Sequence, residues 1–335
     1  MEYRNLGRTG VKVSPLCLGT MNFGPRTPEA DAIKMMDAAI DAGINFVDTA
    51  NYYGQPLKDG RGQGASEEII GKALKQNGKR DFIVLATKFT MYTENHPEDP
   101  NSFGGSRRHI MQEVEKSLRR LQTDHIDLYQ LHSAHLSVPI DETLRALDDL
   151  VTSGKVRYIG TSNHPSWRIM EGLWTSDKLR LNRFVSEQAS YSILHRTMER
   201  EVVPVAERFD IALIPFSPLF GGVLTGKYRR DTPFPDESRF KFKPWDGYWS
   251  SGVNDVVYDA VDALDEMAQK KGCTLSQLAL AWVINQKAIT SPIIGPRTVE
   301  QLQDNIGAID VTFSDEDFAR IDDFAPPGSS LVAKI

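Results

Sequence analysis

The chain has 335 residues, 39 Lys and Arg against 45 Asp and Glu, and a formal net charge of −6, so it is long enough to bury a large core without staples and too acidic to suggest nucleic acid as its partner. It has no apolar run of about 18 residues, which excludes an ordinary membrane-spanning helix, and its opening residues MEYRNLGRTG carry no apolar signal-peptide region. The two cysteines, Cys17 and Cys273, have neither metal nor redox spacing, and with no disulfide framework the expected compartment is the reducing cytoplasm.

Reading in chain order, Tyr3–Leu6, Gly7–Gly10 and Val11–Val13 predict a small hairpin with a glycine-rich turn. Short apolar runs then recur as candidate strands at Leu16–Gly19, Ile44–Asp48, Ile83–Thr87, Ile126–Leu131, Val156–Thr161, Phe184–Glu187, Ile211–Phe216 and Ser291–Ile294. They are mostly non-alternating, as strands covered on both faces of a parallel sheet are. Helical stripes lie between them: Ile110, Val114, Leu118 and Leu121; Ile140, Leu144, Leu147 and Val151; Val257, Val261, Leu264 and Ala268. Gly43, Gly154 and Asp210 punctuate helix-to-strand turns. Cys17, within Pro15–Leu18, reads as a small core residue.

This alternation fits a closed α/β barrel or a large doubly wound sheet, and pattern alone does not separate them. Without a linker, charge run or repeat, residues 1–335 read as one domain. Two loops are long, Thr90–Ser106 and Leu219–Gly252. The second is rich in aromatics (Phe220, Phe234, Phe240, Phe242, Trp245, Tyr248, Trp249) and cations, so it either packs upon itself or shapes a pocket for a planar or anionic substrate. Both follow strands, which in a barrel puts them on the C-terminal rim where active sites are built. The tail from Pro326 to Ile335 reads as a loose cover.

Three strand ends carry unlike polar groups: Asp48, followed five residues on by Tyr53; Lys88, closing Ala86–Lys88; and His132, closing Leu128–His132. Taken singly, such an Asp serves as a helix cap, and such a Lys or His as a rim residue. Together on consecutive strands they bring an acid, a phenol, an amine and an imidazole to one rim. A phenol ordinarily titrates near 10, too high for easy proton exchange at neutral pH, and a neighbouring ammonium is expected to lower it. A carboxylate keeps that ammonium charged, and the imidazole can orient a carbonyl oxygen for protonation by Tyr53 as hydride reaches carbon.

This combination resembles the aldo-keto reductase family in residue type, order and place. So do LGRTGVKVSPLCLGTMNFG, LVTSGKVRYIGTSN, PFSPLFGGVLTGKY and PIIGPRTVEQLQDN, so that the resemblance covers nearly the whole chain. It implies an α/β fold of the (β/α)8 TIM-barrel type with the N-terminal hairpin and long rim loops, a nicotinamide cofactor, and Asp48, Tyr53, Lys88 and His132 as the catalytic set. It also implies cofactor contacts. Thr20 and Met21 lie under the nicotinamide. Ser162, Asn163 and Gln188 bond its carboxamide, and Phe216 stacks on the ring. Ser217, Pro218, Leu219 and Gly221 run under the pyrophosphate. Lys227 and Arg239 meet phosphate, and Gly295, Pro296, Arg297, Gln301 and Asn305 hold the adenosine end. Arg297 near a ribose phosphate favours NADPH over NADH.

Gly221–Lys227 reads G-x-x-x-x-G-K, but Tyr228 stands where a P-loop needs Ser or Thr. His132 and His135 lack a third ligand nearby, so no metal is expected, although a metal-dependent barrel hydrolase is the reading they would serve. No G-x-G-x-x-G follows an early strand, which argues against a Rossmann dehydrogenase. The expected activity is NADPH-dependent reduction of an aldehyde or ketone, with a small-molecule carbonyl substrate and neither nucleic acid nor membrane as partner. The alternative on the same fold is a cofactor-sensing regulatory or channel-associated subunit.

Overall fold

The computed structural model describes residues 1–54, 64–91, 99–241 and 252–332. Strands β1 (Arg4–Asn5) and β2 (Lys12–Val13) pair antiparallel as the predicted hairpin. The remaining strands are β3 (Cys17–Gly19), β4 (Phe46–Asp48), β5 (Val84–Phe89), β6 (Ile126–Leu131), β7 (Val156–Ser162), β8 (Phe184–Gln188), β9 (Ala212–Leu213) and β10 (Ile293–Ile294). They form one parallel sheet in the order β10-β3-β4-β5-β6-β7-β8-β9. Its edges meet: Thr290 N–H donates to Leu213 O at 2.9 Å and Ile293 N–H to Pro215 O at 2.8 Å. The ring therefore closes, which decides between the two architectures the sequence pattern left open.

The last two strands are shorter than predicted for a local reason. Pro215 and Pro292 have no N–H to give the ladder between β9 and β10, and beyond Pro215 the residue Phe216 pairs with Ser190 as an isolated bridge.

Helices α1 (Glu29–Asp41), α2 (Ala65–Asn77), α3 (Arg107–Leu121), α4 (Ile140–Thr152), α5 (Ser166–Leu179), α6 (Val202–Phe209), α7 (Asp255–Lys271), α8 (Leu275–Ile284), α9 (Val299–Ile306) and α10 (Asp315–Phe324) complete the chain. In α3, Ile110, Val114, Leu118 and Leu121 are buried as their spacing required, and Ser106 caps the helix by accepting from His109 N–H. Asp210 closes α6 in the left-handed conformation, and Gly43 and Gly154 take positive φ where helices turn into strands.

A cluster of Leu6, Val13, Cys17, Phe46, Ala86, Leu128, Val185, Ala212 and Ile214 joins the hairpin to the strands. The hairpin turn abuts the starts of β8 and β9: Arg8 N–H reaches Asp210 O at 3.0 Å. The hairpin thus plugs the N-terminal end and leaves the C-terminal rim open. The C-terminal segment departs from expectation. Far from a loose cover, it is pinned to the loop after β8 by Arg196 N–H to Ser329 O (2.8 Å), Leu331 N–H to Leu194 O (3.0 Å) and Gly328 N–H to Glu199 Oε2 (2.9 Å). Residues 333–335 lie outside the described residues.

Candidate active site

The predicted polar residues converge because sheet register brings their strand ends together. Asp48 is opposite Ala86 on β5, and Lys88, one side-chain repeat further on, reaches back toward it. Lys88 Nζ donates to Asp48 Oδ1 at 2.5 Å, to Thr49 O at 2.8 Å and to Tyr53 Oη at 3.2 Å. The Tyr53 and His132 rings meet edge to face with centroids 5.7 Å apart. Lys88 and Asp48 are almost wholly buried (0% and 2% exposed), whereas Tyr53 and His132 keep part of their surface toward the cavity.

The second oxygen of Asp48 is also committed. Oδ2 accepts from Gln130 Nε2 at 3.1 Å and Gln188 Nε2 at 3.0 Å. Gln130 has room to do this because residue 160, its partner on β7, is glycine: a Cβ there would fall 2.2 Å from Ser186 Oγ and 3.3 Å from Gln130 Cγ. Gln130 escaped the sequence reading because a polar residue inside an apolar strand carries no motif of its own.

Electrostatics correct one expectation. Burial pushes the Tyr53 phenol up more strongly than Lys88 pulls it down, so its net shift is above the ordinary value, not below. Lys88 is pulled down by burial, but Asp48 and then Tyr53 outweigh this and raise it. Burial, seconded by Lys88, drives His132 down to about 3, leaving its imidazole neutral, and its Nδ1 is buried with no partner among the described residues.

These groups open onto a cavity of about 580 Å³ that runs from Tyr53 and His132 to Gln301 and Asn305. Thr20, Met21, Ser162, Asn163, Gln188, Phe216, Ser217, Pro218, Leu219, Gly221, Lys227, Arg239, Gly295, Pro296, Arg297, Gln301 and Asn305 all line it. Gln301 is partly engaged already, since its Oε1 accepts from Arg297 N–H at 2.9 Å. Asn163 and Ser217 hold positive φ (56° and 59°) on the wall, a costly backbone that non-glycine residues keep where the surroundings hold it.

Arg26 also lines the cavity and was missed. The signal was present: Gly24–Thr27 and Gly295–Thr298 are the same tetrapeptide, GPRT, each following a strand. Arg26, Lys227, Arg239 and Arg297 form a cationic arm. Lys227 is lowered to about 8 by burial and then by Arg297, Arg26 and Arg239, and Arg239 to about 10 by burial and then Arg26. Four cations gathered on one wall suit a polyanion.

The described aromatics of the long loop pack upon themselves. Tyr228 stacks on Phe240 with centroids 3.9 Å apart, and Phe234 meets Phe240 edge-on at 5.0 Å. Phe242, Trp245, Tyr248 and Trp249 lie outside the described residues.

Residues 15–326 match the model of the aldo/keto reductase family. The chain is 40% identical to "Uncharacterized oxidoreductase YrpG" of Bacillus subtilis (strain 168), over 98% of this chain and 97% of that one. It is 35% identical to "Probable voltage-gated potassium channel subunit beta" of Arabidopsis thaliana, over 93% and 92% of the two chains. It is also 35% identical to "Norsolorinic acid reductase stcV" of Emericella nidulans, over 95% and 79%. A closed parallel barrel with this rim, matched by one family model along nearly its whole length, makes the chain a member of the aldo/keto reductase family of oxidoreductases.

Proposed function

We propose that the chain, acting as one barrel domain, is an NADPH-dependent reductase that converts aldehydes or ketones to alcohols, with Tyr53 as the proton donor. The observation that carries this reading is the line Asp48–Lys88–Tyr53, closed by 2.5 and 3.2 Å hydrogen bonds, ending beside His132 at the open cavity.

The residues present fit the cofactor. The cationic arm of Arg26, Lys227, Arg239 and Arg297 suits its phosphates, and a base such as Arg297 suits the additional ribose phosphate of NADPH. Gln188 spends its amide donors on Asp48 and Gln130, which leaves its oxygen to accept from a carboxamide. Ser162 and Asn163 line the same wall, and Phe216 offers a ring face. When bound, NADPH supplies the hydride.

The rest is done by side chains of this chain. Tyr53, neutral at working pH, gives its proton to the substrate oxygen. Lys88, held charged by Asp48, stabilises the phenolate that remains. His132 is neutral, and its tautomer protonated at Nε2 donates to the carbonyl oxygen and orients it.

Tyr53→Phe tests the reading. Steady-state NADPH oxidation with a panel of small aldehydes and ketones is expected to fall about 10³-fold while NADPH binding persists. Full turnover in that variant overturns the assignment. The similarity to a potassium channel subunit beta supports a second reading, a cofactor-sensing subunit. Tight NADPH binding by the unaltered chain with no turnover across the panel favours that reading.

A further inference from the structure

We infer that Glu187 is a positioning residue for the nicotinamide end of the cofactor: its carboxylate holds the Ser162–Asn163–His164 turn in the conformation that presents Ser162 and Asn163 to the cavity. The inference rests on the cofactor reading above and goes beyond it, because Glu187 does not line the cavity.

Glu187 stands on β8 beside Gln188. Gln188 faces Asp48, and alternation turns Glu187 to the other side of the strand. It is wholly buried (0% exposed), and among the described residues no cation pairs with it. A buried carboxylate without a counter-ion is costly, so what it bonds to is informative. Thr161 Oγ1 donates to its Oε2 at 2.5 Å and His164 N–H to its Oε1 at 3.1 Å, so one oxygen grips the residue before the turn and the other the turn's last residue.

The turn needs a grip. Asn163 sits at φ 56°, a left-handed conformation that a non-glycine residue adopts only under constraint. Held there, Asn163 Nδ2 donates to His132 O at 3.1 Å and to Ser162 Oγ at 3.0 Å, while Ser162 Oγ donates to Gln188 O at 2.9 Å. The turn therefore ties the carboxamide-facing wall to the loop that carries His132.

The titratable and charged groups around Glu187 leave it unpaired. His164, on the turn, is lowered to about 4 by burial and so is neutral, and its Nδ1 is 2.9 Å from Ser162 O. Arg168 on α5 turns to Glu171 (2.6 Å) and Val138 O (2.9 Å). The paired residues of β9, Ala212 and Leu213, carry no charge. Burial accordingly raises Glu187 to about 7, against the pull of Thr161 and the turn's N–H groups. Protonation places an O–H among donors and removes an acceptor from the turn, so cofactor affinity is expected to fall as pH drops through that value.

The test is calorimetric binding of NADPH and of adenosine 2′,5′-bisphosphate to the full chain and to Glu187→Gln, at about pH 6 and about pH 8. At the higher pH the variant is expected to bind NADPH about tenfold more weakly, the cost of one mis-set charged hydrogen-bond acceptor, and to bind the bisphosphate unchanged. The unaltered chain is expected to lose NADPH affinity at the lower pH beyond any loss seen with the bisphosphate, and the variant is expected to lack that extra loss. If Glu187→Gln does not fold, Thr161→Val, which removes one donor to the carboxylate, is expected to show a smaller loss confined to NADPH. Equal NADPH affinity in chain and variant, or equal losses for both ligands, overturns the inference. If the unaltered chain binds neither ligand, it is the cofactor reading that fails, and the inference falls with it.

Discussion

Arg26 and Arg297 donate to one acceptor: Nη2 of Arg26 lies 2.7 Å, and Nη1 of Arg297 3.1 Å, from the backbone oxygen of Glu237. They come from loops after the neighbouring strands β3 and β10 and meet over the segment that also carries Arg239. The Glu237 carboxylate also lies 4.0 Å from Arg297 Nη1, yet burial and then Arg297 still lower Arg26. A bound polyanion relieves that repulsion. Arg26→Ala and Arg297→Ala are each expected to weaken NADPH binding about tenfold, read by fluorescence titration. The double variant is expected to lose less than the two losses combined, since the residues share Glu237. An Arg26→Ala chain with unaltered NADPH affinity removes Arg26 from the site.

The Lys88–Asp48 pair makes two variants of the same site behave differently in denaturant. Lys88→Met strands a carboxylate that is 2% exposed, and loss of one partner from a buried pair costs about 3–5 kcal/mol. Tyr53→Phe removes a single 3.2 Å bond from a half-buried hydroxyl and is expected to cost within about 1 kcal/mol. Urea unfolding of both variants checks this; equal stabilities contradict the view that Lys88 and Asp48 form a mutually dependent buried pair.

The sequence exposed the site where chemistry coincides with strand ends. Asp48 ends β4, Lys88 is the penultimate residue of β5 and His132 directly follows β6, so a one-dimensional pattern located them in three dimensions. Barrel closure was not legible, because it depends on bonds between Leu213, Pro215, Thr290 and Ile293, where prolines interrupt the strand pattern. Nor was the direction of the Tyr53 shift, since composition does not say how deeply a phenol is buried beside its ammonium. Arg26 was legible only by comparing two distant tetrapeptides, and Glu187 only once its burial with no cation among the described residues was visible.

The neutral His132 and the raised Tyr53 together set a pH profile. On the proposed mechanism reduction needs protonated Tyr53, and a phenol held above its ordinary value keeps that proton throughout the neutral range. His132, at about 3, changes charge only in strong acid. With NADPH saturating, kcat for reduction is expected to stay flat from about pH 5 to about pH 9 and to fall only in stronger base, whereas alcohol oxidation, which needs the phenolate, is expected to rise with pH. A limb near the usual histidine value that His132→Gln abolishes shows instead that His132 titrates during turnover.

Glu187 predicts a conflict between stability and binding. Its folded value, about 7, lies above the ordinary 4.5, so the folded chain holds this proton more tightly than the unfolded chain does. Between those values the folded state binds more protons, and by linkage stability falls as pH rises through the window. The full penalty, roughly 3 kcal/mol, is present above the folded value and absent below the unfolded one. Glu187→Gln has no such proton to lose. Its unfolding free energy relative to the unaltered chain is therefore expected to shift in its favour by about 3 kcal/mol between about pH 4 and about pH 8, measured by urea titration at each pH. A relative stability that does not change with pH means that Glu187 is not the buried, unpaired acid described here. A shift in favour of the variant, joined to weaker NADPH binding, means that this carboxylate costs the fold stability and is retained for the turn it holds.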